Sequence, residues 1–384
     1  MINLDKLKRA RHERQAALID EVVSDPLAGL SPDAAEQRFR DERNHGRRAR
    51  RAAAREELKA QARRQAFARL EQVGEAVEAY YGSQAHAAAP VLRGGSLVVQ
   101  VSDVHFGCVV RGLEQRDNAN TWDSQVACRR FKTLAEAAKF HGISHGAEEL
   151  VVALTGDLFD SKIGKERYDK LLNSETAAAL TYMRGKDLLI QFIDDLRESE
   201  IFGAIRVVGI AGNEARLYAD RGHSHIMASD NWDALLNADL AARYRGSDVA
   251  CEFGVNRYVA EIQGWRMLLI HGDQGRFNPT NQTQIQSLLG NHDADFGISG
   301  HIHDTLITGK WIRCASMMGT DAYAGDGLGL EGMAAQTILW LAPGVRHAYA
   351  IDLQNPSEEL VPYQLFDYAG AFGFADNLFG FEHQ

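Results

Sequence analysis

The sequence LVVQVSDVH, residues 97–105, places a short apolar run directly before an aspartate and a histidine. A valine-rich run of this length predicts a strand that is buried on both faces of a sheet. Four more apolar runs lead into polar motifs in the same way. The five motifs are Asp103-Val104-His105, Gly156-Asp157, Gly212-Asn213-Glu214, His271-Gly272-Asp273 and Gly300-His301-Ile302-His303.

The positions of these motifs at strand ends favour a single site. The predicted strands cover residues 97–101, 150–154, 205–210, 267–270 and 296–299. In open α/β sheets the ligand crevice lies outside the carboxyl ends of the strands. We therefore expect the five motifs to meet at one rim of the molecule.

The side chains in the motifs are imidazoles, carboxylates and an amide, which suit two divalent metal ions. Asp157 is the best candidate to bridge the two ions, and Asn213 and His271 would serve the second. Asp103 and His105 are two residues apart, so a continuing strand would put both on one face. His301 and His303 have the same spacing. Each residue alone has a plainer interpretation as a turn former, a helix cap or a core histidine, but all five motifs in order favour a metal site.

The order of the motifs resembles that of the calcineurin-like metallophosphoesterase superfamily, over roughly residues 97–319. The resemblance implies an α/β fold with a two-sheet sandwich flanked by helices. It also implies hydrolysis of phosphomonoesters or phosphodiesters by a metal-activated water. The implied ligands of the first ion are Asp103, His105, Asp157 and His303, and those of the second are Asp157, Asn213, His271 and His301. Mn²⁺ is the first expectation, with Mg²⁺, Fe²⁺, Zn²⁺ or Ni²⁺ as alternatives.

The chain departs from the family at Glu214, because the family usually has Gly-Asn-His where this sequence has Gly-Asn-Glu. The histidine expected to donate a proton to the leaving group is therefore missing. Glu214 could be a further ligand, a base, or a mark of weakened catalysis. His223 and His225 are candidates for a replacement acid, and Arg216 is a candidate to hold a phosphate oxygen.

The sequence divides into four predicted parts. These are a helical basic arm at residues 1–81, a linker at 82–95, the catalytic domain at 96–355 and an aromatic-rich tail at 356–384. Within the domain we expect helices at 123–140, between 166 and 198, and at 231–244. Residues 249–253, 258–262 and 267–270 are predicted to form an antiparallel set, and further strands are expected at 312–315, 336–341 and 347–353.

The arm carries the basic charge of the chain. Residues 1–70 have 17 Lys and Arg against 11 Asp and Glu, whereas the remainder has 25 against 41. The arm has a helix-turn-helix outline. The segment Glu214-Ala215-Arg216, followed by Ser229-Asp230-Asn231-Trp232-Asp233, resembles phage-encoded metallophosphoesterases that join such an arm to this domain, which implies DNA processing. A solvated helix that packs on the domain, or that pairs with another chain, is an equal alternative. The predicted DNA-binding residues are Arg43, Arg47, Arg48, Arg50, Arg51 and Arg55.

Cysteine usage and the lack of long apolar runs indicate the compartment of the protein. The four cysteines have no paired spacing, the N-terminus lacks the apolar run of a secretory signal, and no run approaches the roughly 18 apolar residues of a membrane span. We expect a cytoplasmic protein without membrane contact, and an oligomer formed through the arm or the tail stays open. Three functions are considered: a nuclease or phosphodiesterase acting on DNA, a phosphatase or cyclic-nucleotide phosphodiesterase, and a DNA-binding protein with an impaired site.

Overall fold

The computed structural model describes residues 31, 34, 94–110, 120–160, 174–217, 229–275, 277, 279–320 and 332–372. The chain divides into two units, Met1–Pro90 and Val91–Gln384. All the elements below belong to the second unit, and the predicted arm lies outside the described residues except for positions 31 and 34. In the described part, no helix combines the length and the apolar character that a membrane crossing requires.

The first sheet has six strands in the order β11-β10-β1-β2-β3-β4. Its strands are β1 (Ser96–Val101), β2 (Glu149–Leu154), β3 (Ala204–Gly209), β4 (Val249–Phe253), β10 (Ala335–Ala342) and β11 (Val345–Asp352). Strands β1 to β4 are parallel, and β10 and β11 join as an antiparallel pair. Val101 pairs with Leu154, which pairs with Gly209, so three carboxyl ends line up at one edge.

The second sheet has five strands in the order β5-β6-β7-β9-β8. They are β5 (Arg257–Ile262), β6 (Trp265–Ile270), β7 (Phe296–Ser299), β8 (Leu306–Ile307) and β9 (Trp311–Arg313). Strands β6, β7 and β9 run parallel, whereas β5 and β8 are antiparallel to their neighbours.

Helices cover the outer faces of both sheets. The described helices are α1 (Ser124–His145), α2 (Ala178–Glu198), α3 (Trp232–Arg243), α4 (Gln282–Asn291) and α5 (Tyr368–Phe372). Asp123 caps α1 by accepting a hydrogen bond from the Val126 amide at 2.7 Å. The helix continues through Gly142, where a Cβ atom would lie 2.6 Å from Cζ of Phe202, and it ends before Gly146 in the left-handed conformation. It therefore ends five residues later than the sequence predicts.

Alternation along the strands separates the layers of the core. Val98 faces the second sheet and packs with Leu269 and Ile298, whereas Val99 faces the helices and belongs to the larger helix-side core. On the far side of the second sheet, α4 packs through Ile285 and Leu289. The predicted α/β sandwich flanked by helices is confirmed.

The structure corrects one strand assignment. β4 was expected in an antiparallel set with β5 and β6, but it pairs parallel with β3 in the first sheet. The reason is that α3 returns the chain across that sheet, as a right-handed βαβ crossover does. The chain passes to the second sheet only after Gly254, whose amide bonds the carbonyl of Gly209.

One helix begins later than expected. Helical sequence was predicted from residue 166, but residues 174–177 are not helical and α2 begins at Ala178. The side chain of Glu175 accepts hydrogen bonds from the amide and hydroxyl of Ser124, and its own amide bonds the carbonyl of Gly107. These contacts to other elements replace helical hydrogen bonds in this segment.

Candidate metal centre

The five motifs follow the ends of β1, β2, β3, β6 and β7, and six of their side chains form two groups of possible metal ligands. One group is Asp103, His105 and His303, and the other is Asp157, His271 and His301. Within each group the ligand atoms lie within 4.8 Å of one another. The grouping is the one that the family resemblance implies, with His301 and His303 divided between the two groups.

In the first group, two of the three pairs of ligand atoms have the spacing of donors around one ion, and the third pair, Nε2 of His105 and Oδ1 of Asp103, lies 4.0 Å apart. Nε2 of His303 lies 3.2 Å from Nε2 of His105 and 3.2 Å from Oδ1 of Asp103. Two donors that each sit about 2.1 Å from one ion are about 3.0–3.4 Å apart at angles of 90–109°. Asp103 is buried, and its carboxylate also accepts the backbone amide of His301, which belongs to the second group.

In the second group, His271 and Asp157 are both buried. The Nδ1 atom of His271 lies 2.9 Å from the carbonyl oxygen of Thr155, which directs Nε2 toward Oδ2 of Asp157, also at 2.9 Å. A backbone carbonyl on the other ring nitrogen is the usual support for a metal-binding histidine. The ring of His301 packs edge-on to that of His271, with centroids 5.1 Å apart.

The two groups adjoin, because the backbone amide of His301 in one bonds the carboxylate of Asp103 in the other. Burial raises the pKa of Asp157, but the charges of His271 and also of His105, from the other group, hold that pKa below its ordinary value. Burial likewise raises the pKa of Asp103, and the hydrogen bond and charge of His303 lower it more. Burial lowers the pKa of His271, yet Asp157 holds it well above the ordinary value. Histidines of both groups therefore act on the carboxylate of Asp157.

The backbone of this site is strained. Eight non-glycine residues of the described chain have positive φ, and five of them belong to the two groups. These five are Asp103, His105, Asp157, His301 and His303, with φ between 47° and 72°. Left-handed conformations of such residues cost roughly 1–2 kcal/mol each and occur mostly at functional sites. The strands therefore do not simply continue past their ends, as the two-residue spacing had suggested, and left-handed turns direct these side chains instead.

Two buried atoms support metal binding independently. Within the described chain, Oδ1 of Asn213 is buried without a hydrogen-bond partner. Nε2 of His271 is close to Asp157, but the contact lacks the direction of a hydrogen bond. Buried polar atoms without partners are rare because they lose the hydrogen bonds of water. Both atoms are the ones that the sequence predicted as metal ligands, so the residues present fit the ions.

Asp233 also belongs to the site, although the sequence indicated it only as the last residue of the segment that resembles phage-encoded metallophosphoesterases. Its carboxylate accepts the amides of Asp157, Leu158 and Gly212 at 2.8, 3.1 and 2.9 Å. It thus joins the turns that follow β2 and β3. Burial, and after it the charge of Asp157, raise the pKa of Asp233 to about 7. Its position at the start of a helix, two residues after the cap Asn231, is the signal that could have indicated this role.

Of the other predicted site residues, Glu214 and Arg216 lie beside Asn213, and the rest lie outside the described residues. Glu214 is in neither ligand group, and its carboxylate accepts a hydrogen bond from Nδ2 of Asn213 at 2.8 Å. Arg216 is half-buried, and Nη1 donates to the carbonyl oxygen of Asn213. The candidate acids His223 and His225 lie outside the described residues, as do the six arginines of the arm.

Comparisons with known proteins give weak likenesses. No family model and no curated protein matches the chain. Wild-type Vps29 from Entamoeba histolytica, complexed with Zn²⁺, is 16% identical over 67% of this chain and 99% of that chain, with a TM-score of 0.31. A predicted phosphoesterase from Streptococcus pneumoniae TIGR4 is 12% identical over 66% of this chain and 97% of that chain, with a TM-score of 0.26.

The sulfate thiohydrolase SoxB from Thermus thermophilus is 10% identical over 70% of this chain and 58% of that chain, with a TM-score of 0.31. Likenesses at this level assign no family.

Proposed function

We propose that this protein is a phosphoesterase that uses two divalent metal ions. The observation that carries the proposal is the pair of adjacent ligand groups, completed by the unpartnered amide oxygen of Asn213. Nitrogen and oxygen donors together suit Mn²⁺, Fe²⁺, Zn²⁺ or Ni²⁺ better than Ca²⁺. Two such ions, when bound, would lower the pKa of a water and neutralise charge on a phosphate.

Contacts within the protein hold the metal-ligand side chains in place. Asp157 would bridge, because its carboxylate faces His271 of its own group at 2.9 Å and the charge of His105, from the other group, also acts on it. The amide of Glu214 holds Oδ1 of this carboxylate at 2.6 Å. The carbonyl of Thr155 fixes the ring of His271, and Asp233 fixes the turn that carries Asp157. The ligands on the rim, His301 and His303, are half-buried, so the site is open to a substrate on that side.

DNA is the substrate that we propose within this class. The basic arm supports it, because residues 1–70 have six more basic than acidic residues. The acidic composition of residues 71–384, with 41 Asp and Glu against 25 Lys and Arg, favours a second candidate, a small phosphomonoester or cyclic nucleotide. The two candidates predict different orders of activity on the same substrates.

The test combines metal analysis with a substrate panel. The full-length protein, loaded with excess Mn²⁺ and desalted, should hold two ions per chain. It should hydrolyse bis-p-nitrophenyl phosphate and single- or double-stranded DNA faster than p-nitrophenyl phosphate. Asp157→Ala should lose both ions and all hydrolysis, because it removes the only carboxylate placed to serve both groups within the described residues.

A matched control is Asp248→Ala, which removes an exposed carboxylate that pairs with Arg197 on the surface. It should keep both ions and full activity. At most one bound ion in the wild-type protein would refute the two-ion site. Two bound ions without hydrolysis of any substrate would refute the phosphoesterase, and a preference for the monoester over DNA would favour the second candidate.

A further inference from the structure

The turn after β3 is built around the side chain of Asn213. Glu214 bonds the Nδ2 end of this amide through Oε1 at 2.8 Å. Arg216 bonds the backbone carbonyl of the same asparagine. The backbone amide of Glu214 meanwhile donates to Oδ1 of Asp157 at 2.6 Å. Residue 214 thus contacts two predicted ligands of the second ion, one with its side chain and one with its backbone.

The contact with Glu214 determines which end of the amide faces the metal site. An asparagine side chain has a donating and an accepting end that differ little in shape, so packing alone selects poorly between them. An ionised carboxylate only accepts hydrogen bonds, and Nδ2 must therefore face Glu214. Oδ1 is turned the other way, where it is buried without a hydrogen-bond partner in the described chain.

We propose that Glu214 is a positioning residue, which acts through Asn213 by presenting its amide oxygen to the second metal ion. The inference rests on the two-ion site proposed above. It differs from the three roles that the sequence left open, because Glu214 then neither binds an ion, nor moves a proton, nor marks a decayed site.

The chemistry explains why a carboxylate suits this position. A hydrogen bond to a charged acceptor is stronger than one between neutral groups, so the amide is held more firmly. Residues that orient a metal ligand typically change metal affinity by about 10–100-fold when they are removed. Loss of Glu214 should therefore weaken the ion held by Asn213 and leave the ion of the first group alone.

The test measures Mn²⁺ binding to the full-length protein by titration calorimetry and equilibrium dialysis. Glu214→Ala should weaken one of the two ions about 10–100-fold. Glu214→Gln keeps an accepting oxygen at the same distance from the backbone but loses the charge, so its affinity for that ion should lie between those of the wild-type protein and the alanine variant. Glu214→Leu has similar size but no acceptor, and it replaces the alanine variant if that variant does not fold.

A double-mutant cycle separates positioning from direct binding. Asn213→Ala should weaken the same ion, and adding Glu214→Ala should then change the affinity little, because the two residues act as one unit. Glu358→Ala, which removes an exposed glutamate after β11, serves as the control and should bind as wild type. Circular dichroism of every variant checks the fold.

Each outcome has one meaning. A wild-type protein that does not bind two ions refutes the proposed function itself. If it binds two and Glu214→Ala binds them equally well, the positioning role is wrong while the function stands. Additive losses in the cycle, or a glutamine variant as weak as the alanine variant, would mean that the charge of Glu214 acts on the ion directly and would overturn the inference.

Discussion

Gly300 shows how closely the backbone approaches a predicted ligand. A Cβ atom at this position would overlap Oδ2 of Asp103 and the hydroxyl of Ser102. The carboxylate of Asp103 is fixed there by the amide of His301, at 3.0 Å from Oδ2. Any side chain at residue 300 must therefore displace the carboxylate from its place between His303 and the backbone.

We expect Gly300→Ala to lose the ion of the first group. The added methyl group has to move Asp103 by more than the few tenths of an ångström that a metal ligand tolerates. Mn²⁺ stoichiometry should fall from two to one, and the melting temperature should fall by several degrees.

Gly290→Ala is the matched control, because Gly290 lies in α4 and a Cβ atom there meets nothing within 4 Å. Alanine is the better helix former by roughly 0.5–1 kcal/mol, so this variant should melt slightly higher and keep both ions. If Gly300→Ala bound two ions with wild-type affinity, the steric explanation would be contradicted.

At this scale the sequence predicted which residues come together but not how they are held. Histidine, aspartate and asparagine at five strand ends are visible in the chain. The left-handed backbone of Asp157, the hydrogen bond from Asn213 to Glu214 and the contacts of Asp233 depend on neighbours distant in sequence. The Asp233 carboxylate, for example, bonds an amide 76 residues away. Periodicity and spacing contain no information about such contacts.

At the scale of elements, Asp195 connects three parts of the second unit. This residue of α2 bonds Lys132 and Lys139 of α1 at 2.9 and 2.8 Å, and it accepts the hydroxyl of Tyr363 at 2.6 Å. Tyr363 belongs to the segment after β11, which was predicted as part of an aromatic-rich tail. Burial raises the pKa of Asp195, but Lys139, Tyr363 and Lys132 together lower it below the ordinary value.

Asp195→Asn should therefore destabilise the protein in a pH-dependent way. A carboxyl whose pKa is lower in the folded state stabilises above its unfolded pKa, and the effect disappears as pH falls through the folded pKa. At pH 7 the variant should melt about 2–4 °C below wild type, which corresponds to roughly 1 kcal/mol. The difference should shrink below about pH 4, near the ordinary pKa of aspartate.

Thermal melts at pH 7, 5 and 3.5 measure this difference. Asp248→Asn removes an exposed partner of Arg197, whose side chain is 41% exposed, and it should shift the melting temperature by less than a degree. An Asp195→Asn deficit that stays constant across this pH range would show that the carboxylate charge is not responsible.

Elements were predicted well where burial is strong and poorly where it is not. Strands β1, β2 and β7 are short, mostly apolar and almost wholly buried, so their positions were visible in the sequence. Helix α4 has Gln, Thr, Ser and Asn at most positions and buries only Ile285 and Leu289, so it was missed. The predicted partner and direction of β4 were wrong, because alternation of apolar residues defines a strand but not the strand with which it pairs.

At the scale of the whole molecule, we expect the N-terminal arm to bind DNA. Six arginines between Arg43 and Arg55 offer positive charges without an acidic residue among them. Each phosphate contact on duplex DNA should contribute about −0.9 to the slope of log K against log salt. Deletion of residues 1–81 should thus weaken DNA binding and flatten its salt dependence, while hydrolysis of bis-p-nitrophenyl phosphate stays nearly unchanged.

Fluorescence anisotropy with duplex DNA at several salt concentrations measures both quantities. Mass measurement and thermal melts of the same protein distinguish the alternatives, in which the arm forms an oligomer or packs on the domain. Unchanged DNA affinity, with the remaining chain folded and active on the small diester, would rule out the DNA-binding arm.

Neither sheet contains a complete ligand group. Asp103 and His105 follow a strand of the first sheet and meet His303 from the second, and Asp157 likewise meets His271 and His301 across the sandwich. A ribosome makes the chain from the N-terminus, so a growing chain has all of β1 to β4 long before it has His303. The unfinished protein cannot assemble either ligand group, so the proposed hydrolysis would begin only when both sheets have been synthesised and packed together.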